Sequence, residues 1–599
     1  MDATTSAPDA LPFPSPFSTA IPSRRMTNKE IASALRQTGD LIELTGGNPY
    51  RANAFGRAAR TIRGLEDAVT DLVQDDELTS VNGIGDGLSE QIQDLLQRGS
   101  FDLRDELLSA VPTGLLDVLK VKGLGTKKVR TLWQELGITS LDELDEAARA
   151  DQVRSLSGFG KKTQENIIEN VALLRAYSNR RRFADAIRAA REVHTVLTDG
   201  DAFDRVVFTG ELRRKVETVQ ALDMVVATSD GADHVIQFLQ EADDTAPFDP
   251  DTISVTTEVE DADALVETPL TSGLSLRLFV CTPDAFGTTL WRTTGSKDHV
   301  ATYIREHGDP GMHATEAAIF EGAGVDVVPP ELREDDGEWE AATDGHLPNL
   351  ISVDDLQGTV HNHSTYSDGS HSLRQMAEKA RSMGLSYFGI CDHSQSLQVA
   401  SGMKPDEVER QQDEIRSLNE EYAENTESPF RIFSGIESDI LRDGSLDYDD
   451  EILASFDFIV ASIHSGFNMT VNEATERIIT AVENPYTSIL GHPTGRLLLV
   501  REGYEIDHDR VIDACASNNV AIELNANPYR LDIDWRYIKR AIEKGVLISI
   551  NPDAHAMIEL ENVRWGVEVA RKGWLTAEHC LNAKSLDEFE AWLTARRPA

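Results

Sequence analysis

The chain has 599 residues, with 102 Asp+Glu against 57 Lys+Arg, a formal net charge of −45. Its length holds about three to five domains of roughly 100–200 residues each, and 40% hydrophobic with 27% charged residues marks a globular chain. No apolar run approaches the roughly 18–20 residues of a membrane span, which excludes an integral membrane protein.

Acid excess also argues against a nucleic-acid partner, which selects a basic surface. The deficit, however, falls on lysine: 15 Lys stand beside 42 Arg. Surplus carboxylate with scarce lysine is the bias of salt-loving organisms, where it keeps the surface hydrated. The total charge then reports the solvent and not the partner. Cys281, Cys391, Cys515 and Cys580 lie far apart without a C-x-x-C pair, so a reducing cytoplasm is expected and a disulfide framework is not.

In chain order, residues 1–26 set Pro12, Pro14, Pro16 and Pro22 among Ser, Thr and Ala, a disordered tail without a signal-peptide core. Met26 opens a helical pattern and is an alternative start. From Asn28 to about Ala176 short amphipathic helices follow one another, as in LRQTGDLIELTG, LSEQIQDLLQRG and LLDVLKVKG. Between them lie three G-h-G turns: Gly83-Ile84-Gly85, Gly123-Leu124-Gly125 and Gly158-Phe159-Gly160. One such turn alone is an ordinary helix C-cap. Three read as helix–hairpin–helix repeats, with Lys127, Lys128 and Arg130 behind the second and Lys161 and Lys162 behind the third. Glycine admits positive φ and close approach, so amides at the start of the next helix can cradle a phosphate. The expected partner is the DNA backbone.

Around Val206 the texture changes to VVFTG, LDMVVAT and SLRLFV, a mixed α/β region reaching roughly Pro330. The acidic, strand-poor stretch ELREDDGEWEAATDGHLPNL, residues 331–350, reads as a linker. From Ile351 strands alternate with helices, in YFGICDH, FRIFSGIES, FDFIVASIH, TSILGHP, VAIELNAN and VLISINPDAH. That alternation argues for a parallel sheet closed or nearly closed into a barrel. Six histidines recur at its strand ends: His361, His363, His393, His464, His492 and His555. Asp368, Glu437 and Asp553 stand with them. The C-terminal ends of barrel strands converge on one face, and imidazole with carboxylate suits Zn²⁺, Mn²⁺ or Fe²⁺. Nine ligands are too many for one ion and suit two or three.

HNHSTYSDG, CDHS, GIES, ASIH, GHPTGR and NPDAH together resemble the polymerase and histidinol phosphatase (PHP) domain. Preceded by the three repeats and by FTGELRR, VETVQALD and TGSKDH, they resemble the bacterial family X DNA polymerases with a C-terminal PHP exonuclease, from about Met26 to the end. The resemblance implies a multidomain chain: a helical helix–hairpin–helix region, an α/β nucleotidyltransferase-like core and a distorted (β/α)7 PHP barrel. Its ranges would be 27–98 (lyase-like), 99–178 (fingers-like), 179–330 (degenerate palm and thumb) and 351–599 (PHP). Carried over by motif, one ion takes His361, His363, Glu437 and Asp553. A second shares Glu437 with His464 and His492, and a third takes Asp368, His393 and His555. Arg496, in GHPTGR, would neutralise a phosphate oxygen, with His464 and Asp553 as its catalytic companions. The implied activity is Mn²⁺-dependent 3′→5′ exonuclease and 3′-end processing on gapped, nicked or 3′-ended DNA. Two other readings stand beside it: a phosphatase of a small phosphate ester such as histidinol phosphate, and a non-catalytic DNA-binding scaffold.

The polymerase motifs depart from that family. Nucleotidyl transfer there needs a Gly-Ser turn and three aspartates for two Mg²⁺, two of them in an Asp-x-Asp whose alternation puts both on one strand face. Here the turn is Gly210-Glu211, the Asp-x-Asp reads Ala221-Leu222-Asp223, and Ser275 stands where the third aspartate is usual. One carboxylate cannot hold two Mg²⁺, so lost polymerisation is expected. Arg213, Arg214 and Thr294-Gly295-Ser296 are retained, as a DNA-binding scaffold would keep them. The Schiff-base lysine of some relatives is absent too, because its positions fall at Gly87 and Gln91.

Overall fold

The protein, here as a computed structural model, is described over residues 26–596 except 27, 64, 66, 67, 76, 201, 243–245, 261 and 425–428. The Pro-rich segment before Met26 lies outside those residues. The chain divides into two units between Ser178 and Asn179. No described helix is long and apolar enough to cross a membrane.

In the first unit, amphipathic helices bury one face each around two cores. One gathers Ile31, Leu35, Phe55, Ile62, Ile92, Leu95 and Phe101. The other gathers Leu115, Val129, Leu132, Leu144, Ile167 and Val171. The three G-h-G turns share one construction. Their middle residues Ile84, Leu124 and Phe159 are plugged into these cores, while all six glycines are exposed. Gly83, Gly123 and Gly158 take φ of 89°, 87° and 84°, which L side chains rarely adopt. Gly85 and Gly125 have ordinary φ and cap the helices Asp86–Arg98 and Thr126–Leu136. A Cβ at Gly85, Gly125 or Gly160 would meet nothing within 4 Å.

The second unit begins with a five-stranded sheet in the order Arg205–Phe208, Ala221–Ala227, Ser275–Cys281, Ala264–Pro269 and Ser254–Thr256. Ala221–Ala227 runs parallel to Ser275–Cys281 and the other pairs are antiparallel. Residues 331–350 are not a linker. The helix Glu338–Asp344 and the turn Pro330–Leu332 pack Leu332 and Trp339 against Trp291, Tyr303, Phe320 and Val328. The acidic composition misled because its carboxylates find partners far away in sequence: Glu338 pairs with His299, and Glu331 with Arg571 and Lys215. A carboxylate so paired can be buried.

Seven parallel strands follow in sequence order: Gly358–Thr359, Tyr387–Ile390, Arg431–Asp439, Phe458–Ser462, Ile489–Leu490, Ala521–Asn525 and Ile548–Asn551. Their residues are almost all buried, as expected of parallel strands covered on both faces. A parallel bridge Asn362–Ala554, with His363 N–H donating to Ala554 O at 2.8 Å, joins the last strand's exit to the first's and all but closes the barrel. Phe458 fills the interior where Gly389 and Gly435 leave room; a Cβ at either would run into its ring.

Candidate metal centre

Each expected ligand except Asp368 lies on or just after a barrel strand, and alternation decides which way it faces. His361 and His363 are two apart, as are Glu437 and Asp439, so each pair shares a face. Glu437, 1% exposed, is the hub. Around its two oxygens stand His393 Nδ1 at 2.8 Å, His492 Nε2 at 2.9 Å, His464 Nε2 at 3.1 Å, His361 Nε2 at 3.3 Å and His363 Nε2 at 3.7 Å. Asp553 lies 3.2 Å from His363 Nε2 and 3.7 Å from His361 Nε2. At the more open edge Asp368 sits 3.3 Å from His555 Nε2 and 3.5 Å from His393 Nε2. All nine expected ligands therefore converge. Two of them, His492 and Asp553, have positive φ, 21° and 50°. Such backbone persists only where its surroundings impose it.

The ligand atoms group differently from the motif-based division. Sets within 4.8 Å of one another are His363–Asp368–His393–His555, His361–His363–Asp553 and His393–Glu437–His464. His363 and His393 each belong to two sets, because each ring lies between two carboxylates. His361 Nε2 and Glu437 Oε2 are buried and, although other ligand atoms crowd them, neither makes a hydrogen bond of acceptable geometry. Orphaned lone pairs in a nitrogen-and-oxygen donor set are what a borderline divalent ion satisfies, so the residues fit such ions.

A further layer fixes the rings, and the sequence reading missed it. Glu523 Oε1 pairs with His361 Nδ1 at 2.6 Å, and Asp439 Oδ1 with His464 Nδ1 at 3.0 Å. A carboxylate on Nδ1 keeps the proton there and turns the Nε2 lone pair inward. Glu523 also accepts from His492 N–H and from the Asn525 and Asn551 amides. Buried Asp392 accepts from Ser364, Ser367 and Gln411 and so shapes the turn after His363. A strand-end carboxylate in VAIELNAN, matching that in FRIFSGIES, was the available signal for Glu523; Asp439 was legible as the second residue after Glu437.

Electrostatics follow from this packing. Burial disfavours the Glu437 carboxylate, but His464, His361 and His393 outweigh it and hold the group well below its usual range. Asp553 is likewise held low against burial by His361, His363 and Arg530. Burial disfavours protonated His464, yet Glu437 and Asp439 raise it to about 9; Asp368 and Asp553 raise His555 to about 9. His363 falls to about 3, through burial and the neighbouring His555 and His393.

Arg496 is not the guanidinium of this site. Its Nε donates to Arg530 O at 3.0 Å, Nη1 to Asp534 at 2.7 Å and Nη2 to Leu531 O, so it staples the loop 530–534. The arginine facing the centre is Arg530, whose Nε lies 3.3 Å from Asp553 Oδ2. No sequence signal separated the two.

In the five-stranded sheet, Ala221 lies opposite Ser275 and Asp223 opposite Arg277. Arg277 clamps Asp223 with two hydrogen bonds of 2.6 and 2.7 Å. Gly210 has φ +62°, and a Cβ there would run into the Asp223 carboxylate. Glu211 accepts from Arg180 Nη2 at 2.9 Å and Gln220 N–H at 2.7 Å. Arg213 and Arg214, expected as retained parts of a DNA-binding scaffold, are both engaged in ion pairs within the second unit. Arg213 is buried on Glu316, and Arg214 pairs with Glu334 at 2.8 Å. All three ligand clusters among the described residues belong to the barrel. In the first unit, exposed Lys127 and Lys162 flank the turns; Lys128 donates to Gly123 O at 3.1 Å, and Lys161 faces Glu165 at 3.5 Å.

A helix-hairpin-helix domain model matches residues 26–101, a SAM-like helix-hairpin-helix tandem 115–171 and a PHP domain 359–527. The last match stops short of Asp553 and His555, which the fold nonetheless brings into the centre. A probable phosphatase of Acetivibrio thermocellus is 24% identical over 247 residues, 40% of this chain and 95% of that protein. One of Thermoanaerobacter sp. (strain X514) is 28% identical over 161 residues, 25% of this chain and 63% of that protein. The DNA polymerase/3'-5' exonuclease PolX of Bacillus subtilis (strain 168) is 37% identical over 589 residues, 95% of this chain and 99% of that protein. With helical repeats, sheet and barrel all inside that full-length match, the chain belongs to the PolX family of DNA polymerase/3'-5' exonucleases.

Proposed function

We propose that this chain is a metal-dependent 3′→5′ DNA exonuclease whose polymerase-like core no longer polymerises. The observation that carries the reading is the ring of five imidazoles around Glu437, with Asp553, Asp368 and Arg530 beside it. His361, His363, Glu437 and Asp553, with His464, His492, Asp368, His393 and His555, would hold two or three divalent ions, Mn²⁺ foremost. Such ions supply Lewis acidity for phosphate-ester hydrolysis. The protein's own part is positional. Glu523 and Asp439 hold the ring tautomers, burial shields Glu437 and His361 while the edge at Asp368 and His555 stays open to substrate, and Arg530 offers a planar guanidinium to a phosphate oxygen. The exposed G-h-G turns support DNA-backbone binding.

The polymerase site does not fit two Mg²⁺. Asp223 is neutralised by Arg277, Ala221 and Ser275 carry no carboxylate, and Glu211 puts negative charge where a triphosphate would sit. The likeness to probable phosphatases supports a second reading, hydrolysis of a small phosphate ester by the barrel. A 3′-labelled gapped duplex with Mn²⁺ separates them: stepwise release of mononucleotides, lost in His363→Ala, is the result expected. Phosphate released from histidinol phosphate with intact labelled DNA would favour the second.

A further inference from the structure

The loop Asn527–Arg536, which follows the sixth barrel strand, carries Arg530 into the metal centre, and both its ends rest on the polymerase-like core. At one end the Arg182 guanidinium lies 3.6 Å from the centre of the Tyr529 ring. Asp185 holds it there, accepting from Nε at 2.8 Å and Nη2 at 2.5 Å. At the other end Glu217 accepts from Trp535 Nε1 at 3.0 Å and Arg536 Nη1 at 3.2 Å. Both braces hang on one short ladder, where Arg182 lies opposite Thr218. Glu211 secures that ladder. Its partner Arg180 donates to Thr218 Oγ1 at 2.9 Å and Thr218 O at 2.6 Å. The side chain filling the triphosphate turn thus ties down the strand from which the braces reach out.

Within the loop little slack remains between Tyr529 and Arg530. Tyr529 N–H donates to Asn527 Oδ1 at 3.1 Å, Tyr529 O accepts from Leu498 N–H at 2.6 Å, and Arg530 N–H donates to Asn527 O at 2.7 Å. Arg496 holds the far side of Arg530 through its carbonyl, so a displaced Tyr529, joined to Arg530 by the peptide bond and by their shared partner Asn527, strains the segment on which Arg530 is aimed. We propose that the polymerase-like core serves as a positioning brace for the nuclease, with Arg182 stacked on Tyr529 to hold Arg530 facing the metal centre. This rests on the phosphoesterase reading of the barrel. Arg182, Tyr529 and Glu217 act through Arg530 and are positioning residues; misplacing a contact by about 1 Å can cost on the order of 10²-fold in rate.

The test uses the full chain loaded with Mn²⁺ on 3′-labelled gapped duplex, with inorganic phosphate as a binding probe. Arg182→Ala and Tyr529→Leu are each expected to lower kcat by about tenfold or more and to weaken phosphate binding in parallel, with metal content, circular dichroism and KM for DNA unchanged. Tyr529→Phe keeps the ring face and should retain wild-type values, and the Arg182→Ala/Tyr529→Leu pair should fall no further than either alone. Wild-type kcat in both single variants, or a loss that tracks loss of metal, would overturn the brace. A wild-type protein that leaves DNA intact, yet binds phosphate in an Arg182-dependent way, would overturn the DNA reading and uphold the brace.

Discussion

Glu437 is surrounded by five imidazoles because four strands end around it, the first contributing both His361 and His363, and two of the rings, His361 and His464, are themselves aimed by carboxylates behind them. Glu523→Gln removes the negative charge behind His361 Nδ1 and turns one of two accepting oxygens into a donor that cannot serve all four of its present partners, so the ring is held less firmly in its orientation and tautomer. Metal affinity should fall by about 10–100-fold with the fold intact, measured by competition with a chelating dye. Undiminished affinity would remove Glu523 from the site. Protons compete for the same ligands. His464 and His555, each near 9 without metal, are protonated at about pH 7.5, so binding there must displace protons and apparent affinity must rise with pH toward 9. Calorimetry in buffers of differing ionisation heat reads that release, and metal uptake without it would contradict the assignment. At this scale the nine ligands were legible because the motifs carry them. Arg530 was not, since which of two nearby arginines turns inward depends on the hydrogen bonds of the loop 530–534.

Among elements, the G-h-G turns separate two uses of glycine that one motif conflates. Gly123 is needed for its φ of 87°, whereas Gly125, at φ −86°, has open space where a Cβ would stand. Gly125→Val should therefore leave thermal stability near wild-type while weakening DNA binding several-fold, because the new side chain screens the amides behind it. Gly123→Ala should instead cost stability, about 1–2 kcal/mol. Equal stability losses, or unaltered DNA affinity in Gly125→Val, would count against phosphate cradling by these turns. Barrel strands were equally legible, as buried apolar runs ending in a ligand. The segment 331–350 was not, since composition counts charges and cannot see that Glu331 and Glu338 meet Arg571 and His299.

For the whole molecule the charge of −45 acquires a different meaning once the lysines are located. Exposed Lys127 and Lys162 stand beside the G-h-G turns, while the surplus carboxylate is spread along the chain. Placement outweighs total. Screening of that self-repulsion, over a Debye length of about 10 Å near 0.1 M that shortens as salt rises, should keep the protein folded and active from roughly 0.1 M to several molar KCl. Nuclease rate and thermal unfolding across that range check it, and collapse above moderate salt would leave the acidity unexplained.

The proposed division of labour, a working barrel and a silent polymerase core, is read most directly in one reaction. Full-length protein is incubated with a 3′-labelled gapped duplex, Mn²⁺ or Mg²⁺, and all four deoxynucleotides. The expected result is stepwise shortening of the labelled strand, abolished by His363→Ala, with no product longer than the starting primer. Templated extension that disappears in Asp223→Ala would contradict it.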